Sequence, residues 1–142
     1  HWPASIASKG EWRQHVTHIM DIMATCVEVG DAKYPGALAG HDILPTSGRS
    51  LLPAFRNEPE PPRTLVFEHE NNVALREGEW KLLAQKALTR DGLQPDLRWE
   101  LYNLADDPCE MHNLVAEKPE LVERLSRKLL EEARRTNVLP KP

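Results

Sequence analysis

The stretch "RTLVFEHENNVALREGEWKLLA", Arg63–Ala84, decides the fold because it joins a run of β-formers to two runs of alternating hydrophobic residues. "RTLVFEH" is rich in β-formers. In "NVALREGEWKLLA", Val73 and Leu75, then Trp80, Leu82 and Ala84, fall at every second position on either side of Arg76-Glu77-Gly78-Glu79. Alternation of this kind puts one set of side chains on one face of a half-buried strand, and a glycine between two such runs marks a hairpin.

Outward toward the C-terminus, "LRWELYNL" (97–104) repeats the pattern, with Leu97, Trp99 and Leu101 on one face. The intervening "QKALTRDGLQP" (85–95) reads as a loop whose Asp91-Gly92 suits a tight turn. These runs predict a small antiparallel sheet of three to four strands. From Pro119 the period changes to that of a helix, with Leu121, Val122, Leu125, Leu129 and Ala133 in one stripe. Glu120–Arg124, Glu123–Arg127 and Glu131–Arg135 are spaced as favourably oriented i,i+4 pairs on its outer face. The expected fold class is α+β, with the C-terminal helix covering one face of the sheet.

Toward the N-terminus, Val16, Ile19, Met20, Met23, Cys26 and Val27 fall on one helical face, with Thr17 or Asp21 as a cap and Gly30 as a stop. The connection "DAKYPGALAGHDILPTSGRSLLPAFRNEPEPPR" (31–63) has no long periodic segment and reads as a surface excursion with a short helical turn from Ser50.

The chain of 142 residues is long enough for one domain with a core. A hydrophobic share of 40% with 12 prolines implies long irregular connections around a modest core. The net charge of -4 gives no electrostatic footprint for nucleic acid. No apolar run reaches the length of a membrane span. The chain starts at His1 without methionine, so further sequence is expected upstream. Cys26 and Cys109 can pair in an oxidising compartment or both remain free.

Three clusters carry residue types suited to chemistry. His15, His18 and Asp21 are spaced to share a metal on a continuous helix, but a solvated or capping face explains them better. In "WELYNLADDPCEMHNLV" (99–115), Asp106, Asp107, Glu110 and His112 lack the glycine and the alternating oxygen ligands of a calcium loop. Asp107-Pro108-Cys109-Glu110 fits a β-turn with proline second, its aspartates accepting backbone N–H bonds. Cys109 sits among acids that disfavour a thiolate. Finally His69, Glu70, Asn71 and Asn72 close an apolar strand with a polar cluster, as cleft-lining loops do, although a plain surface turn uses the same residues. There is no glycine-rich phosphate loop, G-x-S-x-G or H-E-x-x-H. Read from its residues, the chain has no complete active site.

Several stretches together resemble the C-terminal portion of the sulfatase family, arylsulfatase type. "HWPASI" is similar to the end of a core-sheet strand, "VTHIMDIMATCVEVGDAKYP" to the helix after it, and "SGRSLLPAF" to the family's "G-x-S-L-L-P" loop. "FEHENNVALREGEWKLL" resembles its "F-E-x-x-x-x-x-A-x-R-x-G-x-W-K-L" hairpin, and "WELYNLADDPCEMHNLVAEKPEL" its "E-L-Y-[DN]-L-x-x-D-P-x-E-x-x-N-L" strand and turn. Ala24 stands where the family usually has proline, and Cys109 where it has a small or polar turn residue.

The resemblance implies a parent enzyme that cleaves sulfate esters with calcium and a formylglycine made within "[CS]-x-P-x-R". No cysteine or serine here is followed by x-P-x-R. The family's metal and catalytic residues all precede the point matching His1, so none transfers to this chain. Residues 1–45 are then a remnant of the large α/β domain (strand end plus helix), 46–62 a connecting loop, and 63–142 the small sheet-and-helix subdomain.

Two functions fit this resemblance. One is a C-terminal fragment that completes a sulfuric ester hydrolase and helps shape its cleft, inactive alone. In it His69, Glu70, Asn71 and Asn72 lie at the substrate rim. The other is a free-standing binding or accessory module reusing the fold. The implied partners are the N-terminal catalytic portion of the same parent and a sulfated small molecule or glycan, with self-association of the isolated fragment. The family's usual export implies a periplasmic or secreted location.

Overall fold

The computed structural model describes residues 2–6 and 9–140. Length alone allows one domain, but the backbone gathers into two compact units, residues 1–61 and 62–142.

In the first unit, His1 of the expected strand end lies outside the described residues, and Trp2 to Ile6 turn instead of extending. The N–H groups of Ser5 and Ile6 donate to the carbonyl of Trp2, at 3.1 and 2.9 Å. A strand needs a neighbour to pair with, and among the described residues none lies beside it. Helix α1 spans Asp21–Val29, starting five residues later than the apolar spacing from Val16 suggests. The delay has a local cause. The Asp21 carboxylate takes the backbone N–H of His18 at 2.7 Å, which closes a turn before the helix begins. Neither Thr17 nor Asp21 is the N-cap; Met20 is, with no side-chain hydrogen bond. At the other end Gly30 closes the helix, its N–H donating to Cys26 at 3.0 Å.

The buried face of α1 is polar. Asp21 is fully buried, and its second oxygen accepts the Arg49 N–H at 2.9 Å. Thr25 Oγ1 donates to the Asp21 carbonyl at 2.7 Å and accepts the Leu51 N–H at 2.8 Å. Between these anchors Gly48 lies so close to α1 that an added Cβ would sit 2.2 Å from the Met20 carbonyl oxygen. Only glycine fits there.

The connection is less featureless than its sequence suggests. Strands β1 (Ala37–Leu38) and β2 (His41–Asp42) pair antiparallel around Ala39-Gly40, both at positive φ. Helix α2 spans Leu52–Arg56, starting two residues beyond Ser50, with proline in its first turn and Asn57 in the left-handed region at its end.

In the second unit, β3 (Thr64–His69), β4 (Asn72–Glu77), β5 (Trp80–Ala84) and β6 (Trp99–Asn103) form one antiparallel sheet in chain order. The register lines up Val66, Leu75, Leu82 and Leu101 across all four strands. Since side chains alternate between faces, this row fixes which face is the core. Helix α3, Pro119–Arg135, lays Leu125, Leu129 and Ala133 into that core, all buried. Leu121 and Val122 pack at its margin, and Leu97 does so from outside β6. Each fully buried leucine contributes about 1.5–3 kcal/mol.

Of the three expected i,i+4 pairs on α3, only Glu123–Arg127 forms, at 3.4 Å. Arg124 leaves Glu120 and reaches Glu77 of β4 at 2.6 Å, where Lys128 joins it. Arg135 pairs with Glu132 instead of Glu131, at 2.6 Å. A half-buried carboxylate at the sheet end offers two cations a less hydrated partner than an exposed glutamate one turn away.

Candidate functional site

The polar cluster His69–Asn72 is the tip of the β3–β4 hairpin. His69 and Asn72 are paired, and Glu70 (φ 51) and Asn71 (φ 69) make the two-residue connection. Positive φ at both central residues matches the twist of the flanking strands, and asparagine tolerates it well. Glu68 steadies the turn by accepting the Asn71 N–H at 3.0 Å.

The four residues divide by role. Asn71, itself exposed, and the partly buried Asn72 hold the β5–β6 loop. The Asn71 carbonyl accepts the N–H groups of Ala87 and Leu88, at 2.7 and 3.2 Å. Asn72 Oδ1 accepts the N–H of Lys86 at 3.0 Å, which holds Lys86 at φ 48. His69 and Glu70 are exposed.

That loop is itself rigidly tied. Ala87 and Leu88 are buried, Leu88 bridges to Leu93, and the Gln94 N–H donates to Ala87 at 2.8 Å. Thr89 and Gly92 close its turn, as Asp91-Gly92 suggests, through an N–H···O bond of 2.8 Å. The fixed loop borders an open groove of about 570 Å3 lined by Gln85, Lys86, Gln94 and Arg98 among others. Sequence spacing places the loop but not the groove. The available signal was four long polar side chains flanking a segment pinned by Ala87 and Leu88.

Along one margin of the groove, Glu100 accepts the Tyr102 hydroxyl at 2.6 Å. That bond, then burial and the surrounding carboxylates, push the Tyr102 phenol up to about 12. It remains protonated and donating throughout the ordinary pH range.

The other candidate clusters are structural. His15 Nε2 donates to the Glu58 carbonyl at 2.8 Å, and Asp21 is occupied by backbone donors. The pair does not converge with His18 on a cation. Asp107 through Glu110 form the expected turn, the Glu110 N–H donating to Asp107 at 3.2 Å. Backbone N–H groups of Met111 and His112 hold the Asp107 carboxyl below its usual range, with a 2.8 Å bond from His112. Asp106 accepts the Asn103 amide at 2.7 Å. Both cysteines are exposed free thiols. Among the described residues no three His, Cys, Asp or Glu side chains gather around a metal-sized site, and no helix is long and apolar enough to cross a membrane.

No family model matches the chain. Arylsulfatase K of Bos taurus is 31% identical over 124 residues, covering 80% of this chain and 21% of that protein. Arylsulfatase K of Homo sapiens is 30% identical over 125 residues, covering 81% and 22%. The chain matches the C-terminal portion of the sulfatase family.

Its sheet and C-terminal helix match the C-terminal region of solved sulfatases. One, from work on the metabolism of multiple glycosaminoglycans by Bacteroides thetaiotaomicron, superposes with a TM-score of 0.56 at 21% identity, over 80% of this chain and 24% of that one. Another, solved with its substrate D-glucosamine-2-N,6-O-disulfate, gives 0.52 at 19% identity, over 80% and 23%. The chain spans about a fifth of the length of the curated sulfatases it matches. The residues present do not fit the formylglycine and calcium of a sulfatase centre: the modification motif is absent from the sequence, and among the described residues no three His, Cys, Asp or Glu side chains come together as a calcium site needs.

Proposed function

We propose that this chain is the C-terminal portion of a sulfuric ester hydrolase, completing its fold and shaping its substrate cleft without hydrolysing the ester itself. In this reading residues 1–45 complete the large α/β domain, 46–62 connect, and 63–142 form the small subdomain. The N-terminal portion of the parent supplies the formylglycine and calcium, and the substrate is a sulfated small molecule or glycan. His69, Glu70, Asn71 and Asn72 then stand at the rim of the sulfate pocket, adding affinity and selectivity but no bond-breaking step.

The observation that carries the reading is the inverted burial of α1. It buries Asp21 and leaves Ile22 and Met23 at 54% and 56% exposure, with Ile19 in the turn before it at 78%. An apolar face of this kind marks an interface. A parent about five times longer, as the relatives are, has the additional chain to cover it. The self-contained core of 62–142 supports the second reading, a free-standing binding module.

Turnover of an aryl sulfate separates the two functions. The full-length parent is expected to hydrolyse it with calcium present. The 142-residue chain, freed of contaminating sulfatase, is expected to show none, because it lacks the motif in which the formylglycine nucleophile is made. Turnover by the chain alone would overturn the proposal.

A further inference from the structure

We infer that the groove beside the β5–β6 loop binds an uncharged sugar ring, the unit of a glycan next to the one carrying the sulfate ester. This rests on the reading that the parent acts on a glycan. The groove's volume of about 570 Å3 lies within the ~300–1,000 Å3 of small-molecule sites.

Its charges decide what it accepts. Lys86 and Arg98 are matched by Asp96 and Glu100, so the formal charge around the groove sums to zero and an anion gains no net attraction. Gln85 and Gln94 each present both a donor and an acceptor. A sugar hydroxyl is also both at once, so an amide pair serves successive hydroxyls whichever way they point. Pro95 and Leu97 add apolar surface for the C–H face of a ring. Among the described lining residues there is no aromatic ring to stack a planar base.

The groove is also preorganised. Asn71 and Asn72 pin Lys86, Ala87 and Leu88 by three backbone N–H bonds, and Gln94 is tied back to Ala87. The Tyr102 hydroxyl fixes Glu100. A ligand therefore orders side-chain ends but not the loop, and rigidity of this kind raises affinity without new contacts. The same bonds join the groove to the hairpin tip, so a glycan reaching His69 has the groove as its next support.

The test is an NMR titration of the 15N-labelled chain with the unsubstituted disaccharide of N-acetylglucosamine and, separately, its 6-O-sulfated form. Saturable shifts of the Gln85 and Gln94 side-chain amides are expected with the unsubstituted sugar, and no tighter binding with the sulfated one. Gln94→Ala, an exposed position, should weaken binding about 2- to 12-fold, as loss of one hydrogen bond does. Lys86→Gln should leave it within about twofold, since an uncharged ligand gains little from that charge. No saturable shift overturns the inference. So does binding of the sulfated sugar alone that disappears in Lys86→Gln, which would make the groove an anion site. The readout is independent of turnover. If substitutions at the hairpin tip raise the parent's KM while the groove shows no sugar shifts, the groove inference alone fails. If the sugar binds but the parent's KM is untouched, the cleft reading alone fails.

Discussion

Arg124 of α3 places Nη2 2.6 Å from Oε2 of Glu77 at the end of β4, fastening the helix to the sheet it covers. Lys128 meets the other oxygen of the same carboxylate. The Arg124 hydrogen bond leads in lowering the Glu77 pKa below 4.5, burial opposes it, and Lys128 adds to it. A carboxyl whose folded value is depressed contributes stability that is fully present above its unfolded value and lost as pH falls through the folded one. The wild-type chain should therefore lose more stability than Glu77→Gln as pH falls below 4.5. The pairs are partly exposed, so each is worth only about 0.2–1 kcal/mol. Urea midpoints of both chains at neutral pH and near pH 3 check this. Parallel losses in the two would remove Glu77 as the cause.

Leu125 and Leu129 lie fully buried against the row of Leu75, Leu82 and Leu101. Leu125→Ala should cost about 2–5 kcal/mol, lost burial plus the cavity left behind. Urea denaturation of the chain measures it. A change below about 0.5 kcal/mol, as at surface sites, would mean that α3 does not seat on the sheet.

The second unit was legible because its residues repeat: period two at Val73 and Leu75 and from Trp80 to Ala84, then the α3 stripe from Leu121 to Ala133. Each such side chain has one choice of face, so pattern and packing coincide. The first unit resists the same reading. Its deciding contacts run from side chain to backbone, Asp21 to Arg49 and Thr25 to Leu51, and no periodicity announces which distant N–H a buried carboxylate will find. The ion pairs of α3 show the same limit, since Glu77 competes with Glu120 only after folding brings the strand end beneath Arg124. At the hairpin tip the sequence marks His69–Asn72 as polar. It does not show that Asn71 and Asn72 spend backbone and side-chain oxygens on the next loop, because that depends on the loop's return path.

Asp21 supplies both oxygens to backbone donors, one from His18 and one from Arg49. Asp21→Ala leaves both without that acceptor, at a cost of about 1–3 kcal/mol. Gly48→Ala should disturb the same junction by steric clash, through the 2.2 Å approach to Met20. Hydrogen exchange at the Arg49 and Leu51 amides reports on this joint directly. Both variants should exchange faster there and be unchanged at Leu82 and Leu101. Unaltered exchange at Arg49 in Asp21→Ala would show that the carboxylate does not hold the loop.

The exposed Ile19, Ile22 and Met23 predict that the chain, produced alone, self-associates. Ile22→Lys with Met23→Glu should reduce association without loosening α1, whose buried contacts are made by Asp21 and Thr25. Sedimentation across a concentration series is the measurement. A strictly monomeric wild-type chain would leave that face without an interface role.

At the hairpin tip, His69 is exposed while Asn71 and Asn72 anchor the β5–β6 loop. If the tip borders the substrate, His69→Ala in the full-length enzyme removes a contact and no support, so it should raise KM more than it lowers kcat. Loss of one hydrogen bond to a neutral group predicts a change of about 2- to 12-fold. Asn71 needs a different substitution, because alanine at its φ of 69 would strain the turn. Asn71→Gly keeps the positive φ and the carbonyl that holds Ala87 and Leu88, and deletes only the side chain. It should shift KM or the preference between sulfated substrates in the same way. Asn72→Ala acts through the loop instead, freeing the Lys86 N–H, so its KM effect should come with altered amide shifts at Lys86 and Ala87. Wild-type kinetics for His69→Ala and Asn71→Gly on the natural substrate would reduce the tip to a connection between strands.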